Sequence, residues 1–138
     1  MHQFQLKIIS PEKTILDALT SSVILPGMEG YLGIQYGHIP IVVMLKSGMI
    51  VYQDDYKRHY IYVEGGFAEI NSIGVKVLAD RALVAAEIDE QEAERALEEA
   101  RKTLRGEMTD MTTKQALVEL EHATNRLRVA KINAQVNR

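Results

Sequence analysis

Cysteine and tryptophan are both missing from these 138 residues. Without a thiol there is no disulfide framework, no cysteine nucleophile and no cysteine-ligated metal. A basic surplus is missing too. Lys and Arg number 16 against 19 Asp and Glu, a formal charge of −3, whereas a protein held to nucleic acid through its phosphates carries the opposite sign. Apolar runs are short: Ile39 to Leu45, interrupted by Pro40, is among the longest. That is far below the roughly 20 residues a membrane helix needs, and no charged start followed by an apolar stretch has the form of a signal peptide. These deficits lead to the expectation of a soluble, intracellular chain that binds no nucleic acid and inserts nothing into a membrane. At this length one ordinary domain or two small ones can bury a core.

What the sequence does contain is unevenly spread. All eight aromatics, from Phe4 to Phe67, and all three prolines, Pro11, Pro26 and Pro40, lie in the first half. Eight of the nine glycines fall at or before Gly74, leaving Gly106 beyond it. After Asp80 the chain turns to Ala, Glu, Leu, Arg and Lys, the residues with the best helix propensity.

The first half reads as short strands. Phe4, Leu6 and Ile8 alternate with Gln5 and Lys7, the period of a half-buried strand. Further runs are 23–25, 42–45, 49–52, 59–63, 66–70 and 75–78, separated by turn formers at Ser10-Pro11, Pro26-Gly27, Gln53-Asp54-Asp55, Glu64-Gly65-Gly66 and Asn71-Ser72. Short strands at this spacing predict two stacked sheets. The second half reads as two helices. Asp89 followed by Glu92 has the form of a capping box, and Thr112 with Gln115 marks a second start beyond Gly106. Ala93, Leu97, Ala100 and Leu104 share one face of the first helix, and Ala116, Leu120, Ala123, Leu127, Ala130 and Ala134 one face of the second. The expected fold class is therefore α+β, with an N-terminal β-sandwich or flattened barrel over residues 1–85. A C-terminal antiparallel two-helix hairpin follows over 86–138.

That seam is light. Each buried methyl of alanine contributes about 0.8 kcal/mol and each of four leucines about 1.5–3 kcal/mol before entropy is charged. Net docking of a few kcal/mol lies within the range a ligand or partner can reverse, so the helical half is expected to be a detachable element. Charge is skewed along it as well: Glu87 to Glu99 holds seven acids and one base, and from His122 onward there are bases and no acids. Acids near a helix start and bases near a helix end suit the helix dipoles; a basic end docking on an acidic partner surface is the alternative.

Catalytic constellations are weak. His2, His38, His59 and His122 have no Ser/His/acid or metal-ligand spacing around them. His38, in Gly37-His38-Ile39-Pro40, suits a structural turn better than a general base. The glycines from 27 to 37 lack the Gly-Lys-Ser/Thr ending of a phosphate-binding loop and read as turns and close strand approaches. Tyr52, Tyr56, Tyr60 and Tyr62 around Lys57-Arg58 could stack bases, but Asp54 and Asp55 oppose it and tyrosine is a favoured strand residue.

Together, several segments resemble the epsilon subunit of bacterial F-type ATP synthases. The longest is Gly30-Tyr31-Leu32-Gly33-Ile34-Gln35-Tyr36-Gly37-His38-Ile39-Pro40-Ile41, with Gln35 and Tyr36 where that family usually has leucine and proline. Others are Lys46-Ser47-Gly48, Gly65-Gly66-Phe67-Ala68-Glu69, Val77-Leu78-Ala79-Asp80 and Asn125-Arg126-Leu127-Arg128-Val129-Ala130. The resemblance covers nearly the whole chain. It implies a non-catalytic rotor component of the central stalk, whose sandwich contacts the gamma subunit and the c-ring. Its helical part is regulatory, lying folded or extending into the catalytic α/β head to obstruct hydrolysis. It also implies a peripheral position at the cytoplasmic side of the cell membrane. Lys114, Arg126, Arg128 and Lys131 are the candidate contacts to acidic β-subunit loops.

Some bacterial members of that family also bind ATP, so the resemblance implies no required cofactor but ATP as a regulatory ligand. The positions retained here are Ile88, Asp89, Ala93 and Arg126, while Glu92 replaces the motif arginine. A carboxylate there repels a triphosphate and removes a bidentate donor. Asp89 has a second reading as a plain N-cap. A different class of function, a stand-alone nucleotide sensor or adaptor whose hairpin closes over its ligand, is separated from the first by co-purification with a rotary complex.

Overall fold

The computed structural model describes residues 2–136. The chain divides after Val84 into two compact units. The first holds eight strands: β1 (Phe4–Ile9), β2 (Thr14–Thr20), β3 (Ser22–Gly27), β4 (Gly30–Gln35), β5 (Ile41–Leu45), β6 (Gly48–Gln53), β7 (Arg58–Ile70) and β8 (Gly74–Val84). β1 runs parallel to β8, and the other pairings are antiparallel.

The two longest strands build the sandwich. β7 pairs with β6 over its first half (Arg58 to Val63) and with β5 over its second (Gly66 to Ile70). β8 pairs with it from Ile61 to Ile70, then lends its other edge to β1. One layer is thus β4, β3, β6 and the outer ends of β7 and β8; the other is β2, β1, β8, β7 and β5. At the crossing, the residues that β7 gives to the core change from odd (Ile61, Val63) to even (Ala68, Ile70), and those of β8 from odd (Val75, Val77, Ala79) to even (Ala82). Side chains alternate strictly along a strand, so such a change marks a bend where the strand leaves one layer for the other. Gly65 and Gly66 make it possible. Both have positive φ, and a Cβ on Gly66 would lie 2.1 Å from the Leu78 carbonyl oxygen. The expected turn at 64–66 is therefore a corner within one strand.

The core between the layers is aliphatic, with Leu6, Ile8, Val23, Leu25, Ile50 and Val63 fully enclosed. Two strands were not expected, β2 and β4. β4 crosses the stretch read as glycine turns, because Gly33 adopts ordinary extended backbone with nothing near its absent side chain. Ladder pairing with all of β3 outweighs the low strand propensity of glycine there.

The second unit opens with a short 3₁₀ turn (Ala85–Glu87) and holds α1 (Glu90–Leu104) and α2 (Thr113–Val136). Asp89 caps α1, its carboxylate accepting from the Glu92 N–H at 3.1 Å. At the other end Gly106, with φ of 87°, allows a Schellman closure: its N–H donates to the Thr103 carbonyl, and that of Glu107 to Lys102, each at 3.0 Å. α2 begins with a reciprocal capping box, Gln115 N–H to Thr112 Oγ1 at 3.1 Å and Thr112 N–H to Gln115 Oε1 at 2.9 Å. Glu92 in the first turn of α1 approaches Arg126 in the second half of α2, so the helices run antiparallel.

The seam between them is mostly alanine. Ala93, Ala100, Ala116 and Ala123 are fully buried. Of the four leucines expected there, Leu127 is buried, Leu97 and Leu120 are partly covered, and Leu104 is exposed. Ala134 is exposed as well, while Arg126 and Val129 are buried. At 1.5 Å per residue α1 is about 22 Å long and α2 about 36 Å, so the last turns of α2 run past the start of α1.

Candidate functional site

Each unit carries a candidate site. On the sandwich, the Met28 N–H donates to the Met44 carbonyl at 2.9 Å, joining the β3–β4 turn to β5. Beside this link lies an open groove of about 590 Å³ whose lining includes Met28, Tyr31, Ile41, Val42 and Met44. These five side chains are 44–62% exposed. Val42 and Met44 stand opposite Glu69 and Phe67 on β7, and directly paired residues share a face, so exposed Phe67 extends the surface. Contiguous apolar area of this kind on a folded unit marks a contact site. β5 supplies much of it. Ile41-Val42-Val43-Met44-Leu45 is apolar on both faces, the pattern of a strand covered on both sides, yet only Leu45 is fully buried and Val43 partly so.

The tyrosine cluster does not form a platform. Tyr52 and Tyr62 are buried, while Tyr56 is 93% exposed. Tyr62 donates to Glu64 at 2.6 Å, and Arg81 pairs with the same carboxylate oxygen at 3.0 Å. Tyr52 stacks on His59 with ring centroids 4.7 Å apart, and burial raises its phenol pKa, with the nearby Asp54 charge adding to the shift. Asp54 organises the β6–β7 turn. One of its oxygens accepts from the N–H groups of Tyr56 and Lys57, each at 2.8 Å, and the other meets His59 Nε2 at 2.5 Å. The Lys57 N–H, then His59, then the Tyr56 N–H hold its carboxyl at about 2. His38 lies partly buried in its loop, its Nδ1 2.8 Å from the Ile39 carbonyl. Among the described residues no group of three or more His, Asp or Glu could hold a metal ion.

On the hairpin, the residues marked for ATP are placed as follows. Asp89 is the N-cap of α1, Ile88 precedes it half-buried, and Ala93 lies in the seam. Arg126 is buried with its side chain 3% exposed, and its Nη2 lies 2.6 Å from Glu119 Oε1 and 3.9 Å from Glu92 Oε1. Its guanidinium therefore faces carboxylates of the hairpin itself. Glu119 was not singled out by the sequence; the available signal was its place two helical turns before Arg126. Of the residues marked for an acidic partner, Lys114, Arg128 and Lys131 are exposed and Arg126 is not. At 100° per residue these three fall within an arc of about 100° on α2, with exposed Leu117, Glu121 and Thr124 between Lys114 and Arg128 on the same side.

A sandwich with an exposed apolar groove, followed by a capped helical hairpin that exposes Lys114, Arg128 and Lys131, defines a two-part interaction subunit. Residues 3–85 match the family model of the ATP synthase delta/epsilon chain beta-sandwich domain, and residues 86–131 that of its long alpha-helix domain. The chain is 34% identical to the ATP synthase epsilon chain of Myxococcus xanthus over 134 residues, 97% of this chain and 96% of that one. It is 38% identical to that of Chromohalobacter salexigens over 129 residues, 93% and 92% of the two chains. Among solved structures, a chain in the Euglena gracilis mitochondrial ATP synthase, in a structure of its OSCP, F1 and c-ring, superposes with a TM-score of 0.78 at 25% identity. The match covers 96% of this chain and 81% of that one. A chain in the central stalk and c-ring structure of the Tetrahymena thermophila enzyme shares the fold, with a TM-score of 0.56 at 13% identity and 96% of each chain covered. The chain belongs to the ATP synthase delta/epsilon family, and within it stands with the epsilon chains.

Proposed function

We propose that this chain is a non-catalytic rotor subunit in the central stalk of a proton-translocating F-type ATP synthase. In this reading the sandwich couples the gamma subunit to the c-ring, and the helical hairpin restrains ATP hydrolysis by the α/β head. The exposed groove around Met28, Tyr31 and Met44 carries the first part, because it leaves large apolar side chains in water that a partner would cover. The alanine seam carries the second. A hairpin joined mainly through alanine methyl groups and one buried leucine opens at modest cost. The exposed Lys114, Arg128 and Lys131 face acidic loops, while Arg126, about 120–160° away around α2, keeps Glu119 of its own helix. No helix among the described residues is long and apolar enough to cross a membrane, which supports a peripheral place held by partners, on the cytoplasmic side of the cell membrane.

Reconstitution tests the docking surface. Met44→Glu puts a charge in the groove and should lower affinity for gamma and the c-ring by about tenfold or more, the scale of an unpaired charge in a contact. The sandwich should stay folded, since Met44 is already solvent-exposed. Unchanged assembly with the Glu variant would remove the groove from the reading, and a chain that never co-purifies with a rotary complex would favour a free-standing sensor.

A further inference from the structure

We infer that Glu119 and Glu92 act as built-in anions for Arg126, latching the closed hairpin so that no polyphosphate ligand is needed to hold it. This deepens the reading of the hairpin as the regulatory element and rests on it. An arginine in a protein stays protonated, and a buried cation demands compensation from the groups around it. Here the compensation is local. Glu119 lies on the same helix, about 10 Å along its axis from Arg126, and the arginine side chain leans back toward it, as helical side chains do. Their 2.6 Å contact is a short, charge-assisted bond. Glu92 reaches the same nitrogen from α1, at 3.9 Å and half-exposed. One carboxylate fixes the guanidinium, and the other ties it to the opposite helix. A polyphosphate approaching Arg126 would meet two negative charges before the one positive charge. Glu92 thus sets specificity as well: where the resembled family's nucleotide motif offers a donor, this chain offers an acceptor.

The full chain lacks cysteine, so Ala123→Cys installs a unique thiol at a fully buried seam position, which a maleimide labels when the hairpin opens. In that background Glu119→Gln should raise the labelling rate about tenfold or more, because it leaves the buried guanidinium poorly compensated. Glu92→Gln should raise it less, given its longer and more exposed contact. Combining Glu119→Gln with Arg126→Met removes the stranded charge and should return slow labelling, with helix content by circular dichroism confirming that each variant is folded. Millimolar Mg-ATP should leave the parent rate unchanged. The latch is overturned if Glu119→Gln labels at the parent rate, if the double variant stays as fast as the single one, or if ATP slows labelling of the parent. None of these outcomes depends on assembly into a motor, so the latch and the rotor reading can fail separately.

Discussion

Glycine serves two different purposes in this chain, and substitution separates them. Gly66 combines positive φ with backbone atoms of Leu78 and Ala79 packed against the place a Cβ would occupy. Gly66→Ala should therefore destabilise the sandwich by about 2–5 kcal/mol, combining backbone strain with overpacking. Gly33→Ala meets open space in ordinary backbone and should be nearly neutral. Urea unfolding followed by circular dichroism checks both, and equal midpoints would remove the corner from its role in the fold. Asp54 gives a pH prediction. Its carboxyl pKa is lowered in the folded chain, to about 2, so its contribution is present above the unfolded carboxylate range near 4 and is lost as the pH falls toward 2. Asp54→Asn should make the unfolding midpoint less sensitive to pH across that window. An identical acid profile in the variant would contradict the turn geometry. The sequence marked 53–55 as a turn. The bond to His59 and the stacking on Tyr52 were not legible, since they join residues from two strands that only the folded hairpin brings together.

Among the elements, the helices were more legible than the strands. The spacing of Ala93, Ala100, Ala116 and Ala123 marks the seam because packing selects a period near 3.6, and the residues at Asp89, Gly106, Thr112 and Gln115 mark the ends because backbone groups there need partners. The pattern misleads at Ala134, where the alanine spacing continues past the reach of α1. It also misleads at Arg126, a charged residue taken into the interior by its own carboxylates, which no hydropathy pattern anticipates. For the strands, glycine misled twice, at the Gly65–Gly66 corner and through β4, because the same residue ends one strand, bends another and lies flat in a third. The cap at Gly106 can be tested alone. Its absent side chain would meet nothing, so Gly106→Ala isolates the cost of left-handed backbone and should lower hairpin stability by about 1–2 kcal/mol. Faster amide exchange through α1 and the start of α2, with the sandwich unchanged, is the expected signature. Uniform exchange changes in both units would instead tie the hairpin's stability to that of the sandwich.

For the whole molecule, the two units divide the work by how firmly each is built. A two-layer sheet tied together by two long strands around aliphatic residues suits a fixed platform, and an alanine seam with one ion cluster suits an element that opens and recloses. Family membership was legible in sequence because several of its motifs occur together in one chain: the stretch from Gly30 to Ile41, the Gly65–Gly66 corner and the segment around Arg126. The docking groove was legible only as a general expectation, since a strand apolar on both faces does not reveal which face a partner covers. The most direct measurement removes the hairpin from Asp89 onward in the assembled synthase and compares ATP hydrolysis with that of the intact complex. Hydrolysis should rise while the truncated chain still co-purifies with gamma and the c-ring; the same rate with and without the hairpin, in a fully assembled complex, would contradict its role as a brake.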